Sequence, residues 1–172
     1  MKKLIMAICA LCLTLSSVKA QNSTQEEPLL GGISIEYQAI ENAFAAGFNI
    51  VYNHVAFCLS MVEGDTNSYV TKNSGWRAGL GYNQRYWLNK FLYVEGTAGV
   101  EYSHSKVEYK DEDGESGGNI GLFVTPKIGV KLFNWDDTDW GIQAGYRWDF
   151  NEFKFSKAYT ADYFTIGIVG IF

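Results

Sequence analysis

Eight segments of this chain alternate apolar and polar residues with a period of two, and that alternation is the strongest constraint on its fold. The clearest segment is the last one, residues 162–172. One face of it carries Phe164, Ile166, Ile168, Gly170 and Phe172. A period of two is typical of a β-strand, and about 9–11 residues are enough for a tilted strand to cross a bilayer. The sequence therefore predicts an all-β fold whose last strand has membrane-spanning length.

The two faces of the predicted strands differ in charge. The apolar faces contain no charged residue in any of the eight strands. The opposite faces carry Glu36, Arg77, Arg85, Glu95, Glu101, Lys127, Lys131, Arg147 and Asp149. The interior of an eight-stranded barrel is only just wide enough for ordinary side chains, and Trp, Tyr and Phe from every strand would not fit there. We therefore expect the apolar faces to meet lipid and the charged faces to line the lumen, with a secreted lipocalin-like barrel as the alternative.

The charges of the predicted lumen nearly balance, since five are positive and four are negative. A three-residue turn centred on Asn89 would place Arg77 opposite Glu101 and put Glu95 diagonal to Arg85. Opposite charges that face each other on one side of a sheet stabilise it, and unpaired charges in a narrow lumen are costly. We therefore predict a plugged barrel with little steady conductance.

The start of the chain predicts export from the cytoplasm. Residues 1–20 combine a positive start, an apolar run and small residues before a cleavage site, which is typical of a secretory signal peptide. We expect a short periplasmic lead over residues 21–31 and one barrel domain over residues 32–172. Cleavage removes three lysines, so a net charge of −5 becomes −8, which argues against a nucleic-acid partner. Only Cys58 remains after cleavage, so no intrachain disulfide is expected, and this thiol is predicted to pack inward and to be inert.

The connections between predicted strands alternate in length after the second turn. Short turns are expected near Asn53, Asn89 and Asp137, and long loops at residues 65–74, 109–118 and 151–161. Outer-membrane barrels have short periplasmic turns and longer outside loops. The connection near Glu41 is short for an outside loop.

Two positions in the later strands carry further expectations. Trp140 and Trp148 lie eight residues apart on the apolar face of the seventh strand, which predicts that they mark the two aromatic girdles of a membrane barrel. Pro126 lies on the apolar face of the sixth strand. Because proline donates no hydrogen bond to a ladder, we expect a bulge or a local break at that point.

In strand pattern and length, the chain resembles the small eight-stranded bacterial outer-membrane β-barrels of the OmpA/OmpX type and the porin-like outer-membrane barrel domains around them. The resemblance implies an eight-stranded antiparallel up-and-down transmembrane barrel in the outer membrane of a Gram-negative cell, surrounded by outer-membrane lipids. It also implies that the barrel-assembly machinery recognises the last strand during biogenesis, through Phe164, Ile166, Ile168, Gly170 and Phe172. An extracellular partner would meet the outside loops.

No catalytic, cofactor or metal site is predicted. Some small barrels that modify lipid A use a histidine with a serine near the outer leaflet, and His104 has the outward parity for this, but Ser103 and Ser105 have the opposite parity. The acidic residues Asp111, Asp113 and Glu115 lack the order of a calcium loop. Three functions remain open: a structural or surface-interaction protein, a narrow porin that passes small solutes, and a lipid A-modifying enzyme.

Overall fold

A computed structural model describes residues 31–40, 43–64, 70–110, 113–153 and 163–172. Each strand pairs antiparallel with its chain neighbours and β8 pairs with β1, so the sheet closes into a barrel. The strands are β1 (Gly31–Ile40), β2 (Ala43–Tyr52), β3 (Val55–Gly64), β4 (Val70–Trp87), β5 (Leu92–Tyr109), β6 (Glu115–Trp135), β7 (Thr138–Phe153) and β8 (Tyr163–Ile171). The predicted eight-stranded all-β fold is confirmed.

The beginning of the chain is only partly described. The predicted signal peptide, residues 1–20, and residues 21–30 of the predicted lead lie outside the described residues. Gly31, which the sequence assigned to the lead, is the first residue of β1. Among the residues described, no helix has the length and hydropathy needed to cross a membrane.

The outside of the barrel is apolar and its inside is polar. Ile35, Met61, Leu80 and Phe164 are among the large apolar side chains that are exposed on the outward faces, whereas the inward faces are buried. A continuous apolar surface of this kind is stable in contact with lipid and not in contact with water. The prediction that the apolar faces point outward is therefore confirmed.

Three tight connections lie at one end of the barrel, which we call the turn-side end. Two of them are two-residue turns, at Asn53–His54 and at Asp136–Asp137, and all four residues have positive φ. Hairpin turns of this length favour positive φ at both positions because the backbone twist then matches that of the strands. The turn predicted over residues 134–139 is thus shorter, because β6 and β7 continue almost to its centre.

The third turn corrects the predicted register of β4 and β5. The Asn89 side chain accepts hydrogen bonds from the backbone N–H groups of Phe91 and Leu92, both at 2.8 Å, and so stabilises a wider turn. The pairing is therefore shifted by two residues from the prediction. Arg85 lies directly opposite Glu95 rather than diagonal to it, and Arg77 lies opposite Ser103 rather than Glu101.

The strands fall into two groups by length. β4 to β7 have 16–21 residues and form what we call the long-strand wall, whereas β8, β1, β2 and β3 have 9 or 10 residues and form the short-strand wall. The loops predicted at residues 65–74 and 109–118 are therefore shorter than expected. β4 already begins at Val70, β5 continues to Tyr109 and β6 begins at Glu115. These strand ends were not predicted because their residues are polar. A strand that continues beyond the membrane needs no apolar face.

Pro126 interrupts one ladder without shifting it. The pairs between β6 and β7 skip Thr125 and Pro126, and the register is the same on both sides of the gap. On the other side Pro126 stays opposite Gly96. The expected local break is therefore present, while the register shifts of β6 lie elsewhere, near Ile120 and near Leu132.

Candidate functional site: the charged lumen

Four of the predicted lumen residues form a cluster toward the turn-side end of the barrel, which we call the turn-side cluster: Glu36, Arg85, Glu95 and Lys127. Arg85 Nε donates to Glu95 Oε2 at 2.8 Å, as their opposite positions on β4 and β5 require. Lys127 Nζ donates to Glu36 Oε1 and lies 4.0 Å from Glu95 Oε1. β6 and β1 are three strands apart around the barrel, so the bond between Lys127 and Glu36 crosses the lumen.

Uncharged side chains complete the turn-side cluster. Gln143 Nε2 donates to Glu36 Oε1 at 2.7 Å, and Ser34 Oγ donates to the same oxygen at 3.2 Å. The Tyr93 hydroxyl donates to Gln143 Oε1 at 3.0 Å, and Asn49 donates to Ser34. This network stabilises the buried Glu36 carboxylate, because a buried charge that is hydrogen-bonded on several sides avoids most of its desolvation penalty.

Four of the five remaining predicted charges form the loop-side cluster: Arg77, Glu101, Arg147 and Asp149. Arg147 Nε donates to Asp149 Oδ1 at 2.7 Å, and its Nη2 donates to Glu101 Oε2. Arg77 Nη1 donates to Asp149 Oδ2 at 3.4 Å. β4 and β7 are also three strands apart, so the bond between Arg77 and Asp149 is a second bond across the lumen.

Three buried aromatic residues inside the lumen pack on the arginines. The Arg147 guanidinium carbon lies 3.9 Å from the centroid of the Phe123 ring, and that of Arg77 lies 5.1 Å from the Tyr163 ring. Arg85 lies 4.9 Å from the Tyr93 ring in the same way. Such cation–π contacts are worth about 2 kcal/mol when they are desolvated. These three aromatics were not predicted as part of the site, although their inward parity could have indicated them.

Lys131 is not part of either cluster, which corrects its predicted place in the lumen network. Its Nζ lies 2.5 Å from Asp139 Oδ1, and each of the two side chains is 25% exposed. Lys131 lies next to the β4–β5 turn, where its backbone N–H donates to the Phe91 carbonyl. It therefore belongs to the rim of the barrel, and the two clusters of described lumen residues hold four positive and four negative groups.

The two clusters leave little free space. A cavity between them has a volume of about 20 Å³ and is lined by residues of both clusters, by Cys58 and by Thr125. A cavity needs about 10–15 Å³ of this kind to hold one water molecule, so there is room for one or two. The described part of the lumen is filled by side chains.

The remaining candidate residues do not come together as a catalytic site. The His104 ring faces outward beside Trp76, at 6.1 Å between ring centroids, whereas Ser103 and Ser105 are buried on the inner face. Cys58 is half-buried among the lumen residues. In the described ranges, no group of three or more His, Cys, Asp or Glu side chains could hold a metal ion. Asp111 lies outside the described residues.

The structure places the predicted insertion-signal residues on one face of β8. Phe164, Ile166, Ile168 and Phe172 are exposed on the outside of the barrel. Gly170 has the same parity but is covered, because the Trp140 ring and Thr138 pack where its side chain would be. The role of this face in insertion stays a prediction.

Comparison with solved structures finds the same fold in outer-membrane proteins. The N-terminal β-barrel domain of Pseudomonas aeruginosa OprF matches with a TM-score of 0.56 at 10% identity, over 83% of this chain and 97% of that one. Neisserial surface protein A matches with a TM-score of 0.49 at 8% identity, over 83% and 94%. Ail, the attachment invasion locus protein of Yersinia pestis, matches with a TM-score of 0.43 at 13% identity, over 83% and 95%.

No protein-family model matches the sequence, and no match is found among curated proteins. The closed barrel, its apolar outer surface and the similarity to the OprF domain define the class: the chain has the fold of an eight-stranded outer-membrane β-barrel.

Proposed function

We propose that the protein is an integral outer-membrane barrel with a structural or surface-interaction role, and that its lumen is closed and neither conducts solutes nor catalyses a reaction. The observation that carries this proposal is the pair of bonds across the lumen, between Lys127 and Glu36 and between Arg77 and Asp149. Each joins nearly opposite walls of the barrel. Together with the buried aromatics they fill the space that a solute would need.

The orientation of the barrel in the membrane follows from the lengths of the connections between its strands. Outer-membrane barrels place their short turns in the periplasm and their longer connections outside the cell. The turn-side end therefore faces the periplasm, and the long-strand wall extends on the outside. An extracellular partner would meet this extension, which carries exposed polar side chains such as Ser116 and the exposed ion pair between Lys106 and Glu108.

Two alternatives are weaker on the same observations. A narrow porin needs a continuous water path, and the cavity of about 20 Å³ does not provide one. A lipid A-modifying enzyme of the histidine–serine kind needs both side chains at the same outer surface, whereas His104 points outward and its neighbouring serines point inward.

Conductance in a planar bilayer tests the closed lumen. The purified, heat-modifiable barrel is expected to show no stable open level at moderate voltage. The matched variant replaces Glu36 and Arg77 by alanine, which removes one partner from each bond across the lumen and should produce opening events. A reproducible conductance of the wild-type barrel that does not change in this variant would support the porin instead.

A further inference from the structure

Glu36 differs from the other lumen charges in the strand that carries it. In the described residues, it is the only charged side chain that faces the lumen from the short-strand wall. The other seven members of the two clusters all lie on β4 to β7, and they comprise four cations and three carboxylates. The carboxylate that balances the long-strand wall therefore comes from the first strand of the barrel.

β1 is one side of the seam, by which we mean the pairing of β1 with β8. Every other pair of neighbouring strands is consecutive in the chain, whereas the seam joins the first strand to the last. Its ladder runs from Gly32 opposite Ile171 to Ala39 opposite Phe164. Because no chain connection joins these two strands, noncovalent contacts alone keep the barrel closed at the seam.

The partners of Glu36 lie on the other side of the seam. Lys127 is on β6 and Gln143 is on β7. Through the seam, β7 is two strands from β1 and β6 is three strands from it, whereas in the other direction β6 is five strands away. At about 4.8 Å between neighbouring strands, that longer route covers about 24 Å of sheet. The ion pair between Glu36 and Lys127 therefore forms only when the seam is closed.

A glycine in β8 leaves room for these contacts. Glu36 is directly opposite Gly167 in the seam, and Gly167 is directly opposite Gln143 in the next ladder. A Cβ atom at Gly167 would lie 2.7 Å from Glu36 Cγ. The described glycines have no positive φ, so space and not backbone conformation explains this glycine. The hydrogen bond from Gln143 Nε2 to Glu36 Oε1, at 2.7 Å, thus passes over β8 and joins β7 to β1.

The other bond across the lumen does not depend on the seam. Arg77 is on β4 and Asp149 is on β7, and the strands from β4 to β7 are continuous without it. The remaining ion pairs of the two clusters also join strands within β4 to β7. Among the ion pairs of the described lumen, that of Glu36 with Lys127 alone requires a closed seam.

We propose that Glu36 is a closure lock: its bonds to Lys127 and Gln143 hold β1 to β6 and β7 across β8 and prevent the seam from opening in the membrane. The charge of the long-strand wall favours the same closed state, because without Glu36 its buried cations outnumber its carboxylates, and an unbalanced buried charge is costly. This inference goes beyond the proposed function, since it concerns how the barrel stays closed on itself and not whether the lumen conducts.

Amide hydrogen exchange in phosphatidylcholine nanodiscs tests the lock, because exchange reports local opening. The variant is Glu36→Gln, and the matched control is Asp149→Asn, which weakens the bond that does not require the seam. In Glu36→Gln, the amides of β1 and β8 are expected to exchange at least about tenfold faster than in the wild type, relative to the amides of β4 and β5. In Asp149→Asn this ratio should stay unchanged. An equal increase on all four strands, or the same seam-selective increase in both variants, would overturn the lock.

A disulfide across the seam distinguishes the lock from a simple loss of charge pairing. Tyr37 is directly opposite Ile166, and such pairs have the Cα separation that a disulfide needs. In a Cys58→Ser background, Tyr37→Cys with Ile166→Cys is compared with and without Glu36→Gln. The oxidised crosslink should cancel most of the shift that Glu36→Gln causes in the urea midpoint, whereas the reduced form should retain it. The same shift in both redox forms would show that Glu36 does not act on the seam.

A second variant keeps the test valid if Glu36→Gln does not fold. Glu36→Gln combined with Lys127→Gln leaves no unpaired charge but lacks the ion pair across the seam. Its β1 and β8 amides are expected to exchange at least about tenfold faster than in the wild type, again relative to β4 and β5. Wild-type exchange at the seam of this double variant would mean that the ion pair does not hold the seam, and the lock would be wrong.

Discussion

The two charge clusters of the lumen have the same composition and are stabilised in different ways. Each contains two cations and two carboxylates and one bond across the barrel. In the turn-side cluster, uncharged donors such as Gln143 and Ser34 surround Glu36. In the loop-side cluster, Arg147 bonds to two carboxylates and packs on Phe123.

The difference shows where each cluster is vulnerable. Among the described residues, Lys127 has its only close ion pair with Glu36, because Glu95 is 4.0 Å away and already bonds to Arg85. Asp149 bonds to both Arg77 and Arg147, so it keeps one partner when the other is removed. We therefore expect the turn-side cluster to depend on a single residue and the loop-side cluster to tolerate a single loss.

The largest effect is expected from Glu36→Ala. It leaves the buried Lys127 ammonium without its close partner, and breaking a buried pair from one side costs about 3–5 kcal/mol. Urea unfolding in lipid vesicles measures the free energy of unfolding. The control is the double variant Glu36→Gln with Lys127→Gln, which removes both charges and should recover part of the loss. If the double variant is as unstable as the single one, an unpaired charge is not the cause.

The second largest loss of stability is expected from Leu80→Arg. This variant adds a charge to the outside of the barrel, whereas Glu36→Ala leaves a charge unpaired inside it. Leu80 is exposed on the lipid-facing side of β4, and an arginine near the bilayer midplane should cost about 2–4 kcal/mol. The matched control is Ser116→Arg, on an outward position beyond the apolar belt. Both are compared by the same unfolding experiment, and equal stability of the two variants would contradict the assigned faces.

Arg77→Met should have a smaller effect than either. Asp149 keeps the bond from Arg147 at 2.7 Å, and the methionine retains apolar bulk beside Tyr163. Losing one hydrogen bond to a charged group costs about 1.5–3 kcal/mol. The same unfolding measurement ranks it against Glu36→Ala. A loss as large as that of Glu36→Ala would show that the two clusters are equally fragile.

The smallest expected effect is the coupling between the clusters. In the described residues they share no hydrogen bond or ion pair, although both border the same cavity. The losses from Glu36→Gln and Asp149→Asn should therefore add to within about 0.3–0.5 kcal/mol in the double variant. A larger coupling energy, measured by a double-mutant cycle, would mean that the lumen acts as one network.

Much of the fold could be predicted from the chain itself, because side-chain parity is a local property. Leu80 and Ile128 on the outside and Arg77 and Lys127 on the inside follow from the period of two alone. Strand ends were predicted less well. Residues such as Lys106 and Ser116 extend β5 and β6 with polar side chains, and a strand with water on both sides carries no alternation to detect.

The pairing inside the lumen could not be predicted in the same way. The difference between the expected and observed registers of β4 and β5 is two residues, and a shift of two keeps every side chain on its own face. The pattern is therefore identical in both registers. The Asn89 side chain decides between them by stabilising the wider turn.

What the sequence by itself determined is the eight strands, the lipid-facing surface and the set of charges that face inward. Only the tertiary structure decided which charges meet: Glu36 with Lys127, Arg77 with Asp149, and Lys131 with Asp139 at the rim. The physical reason is that parity depends on neighbours along one strand. Contacts across a lumen depend instead on how eight strands are staggered when the barrel closes, which no single strand specifies.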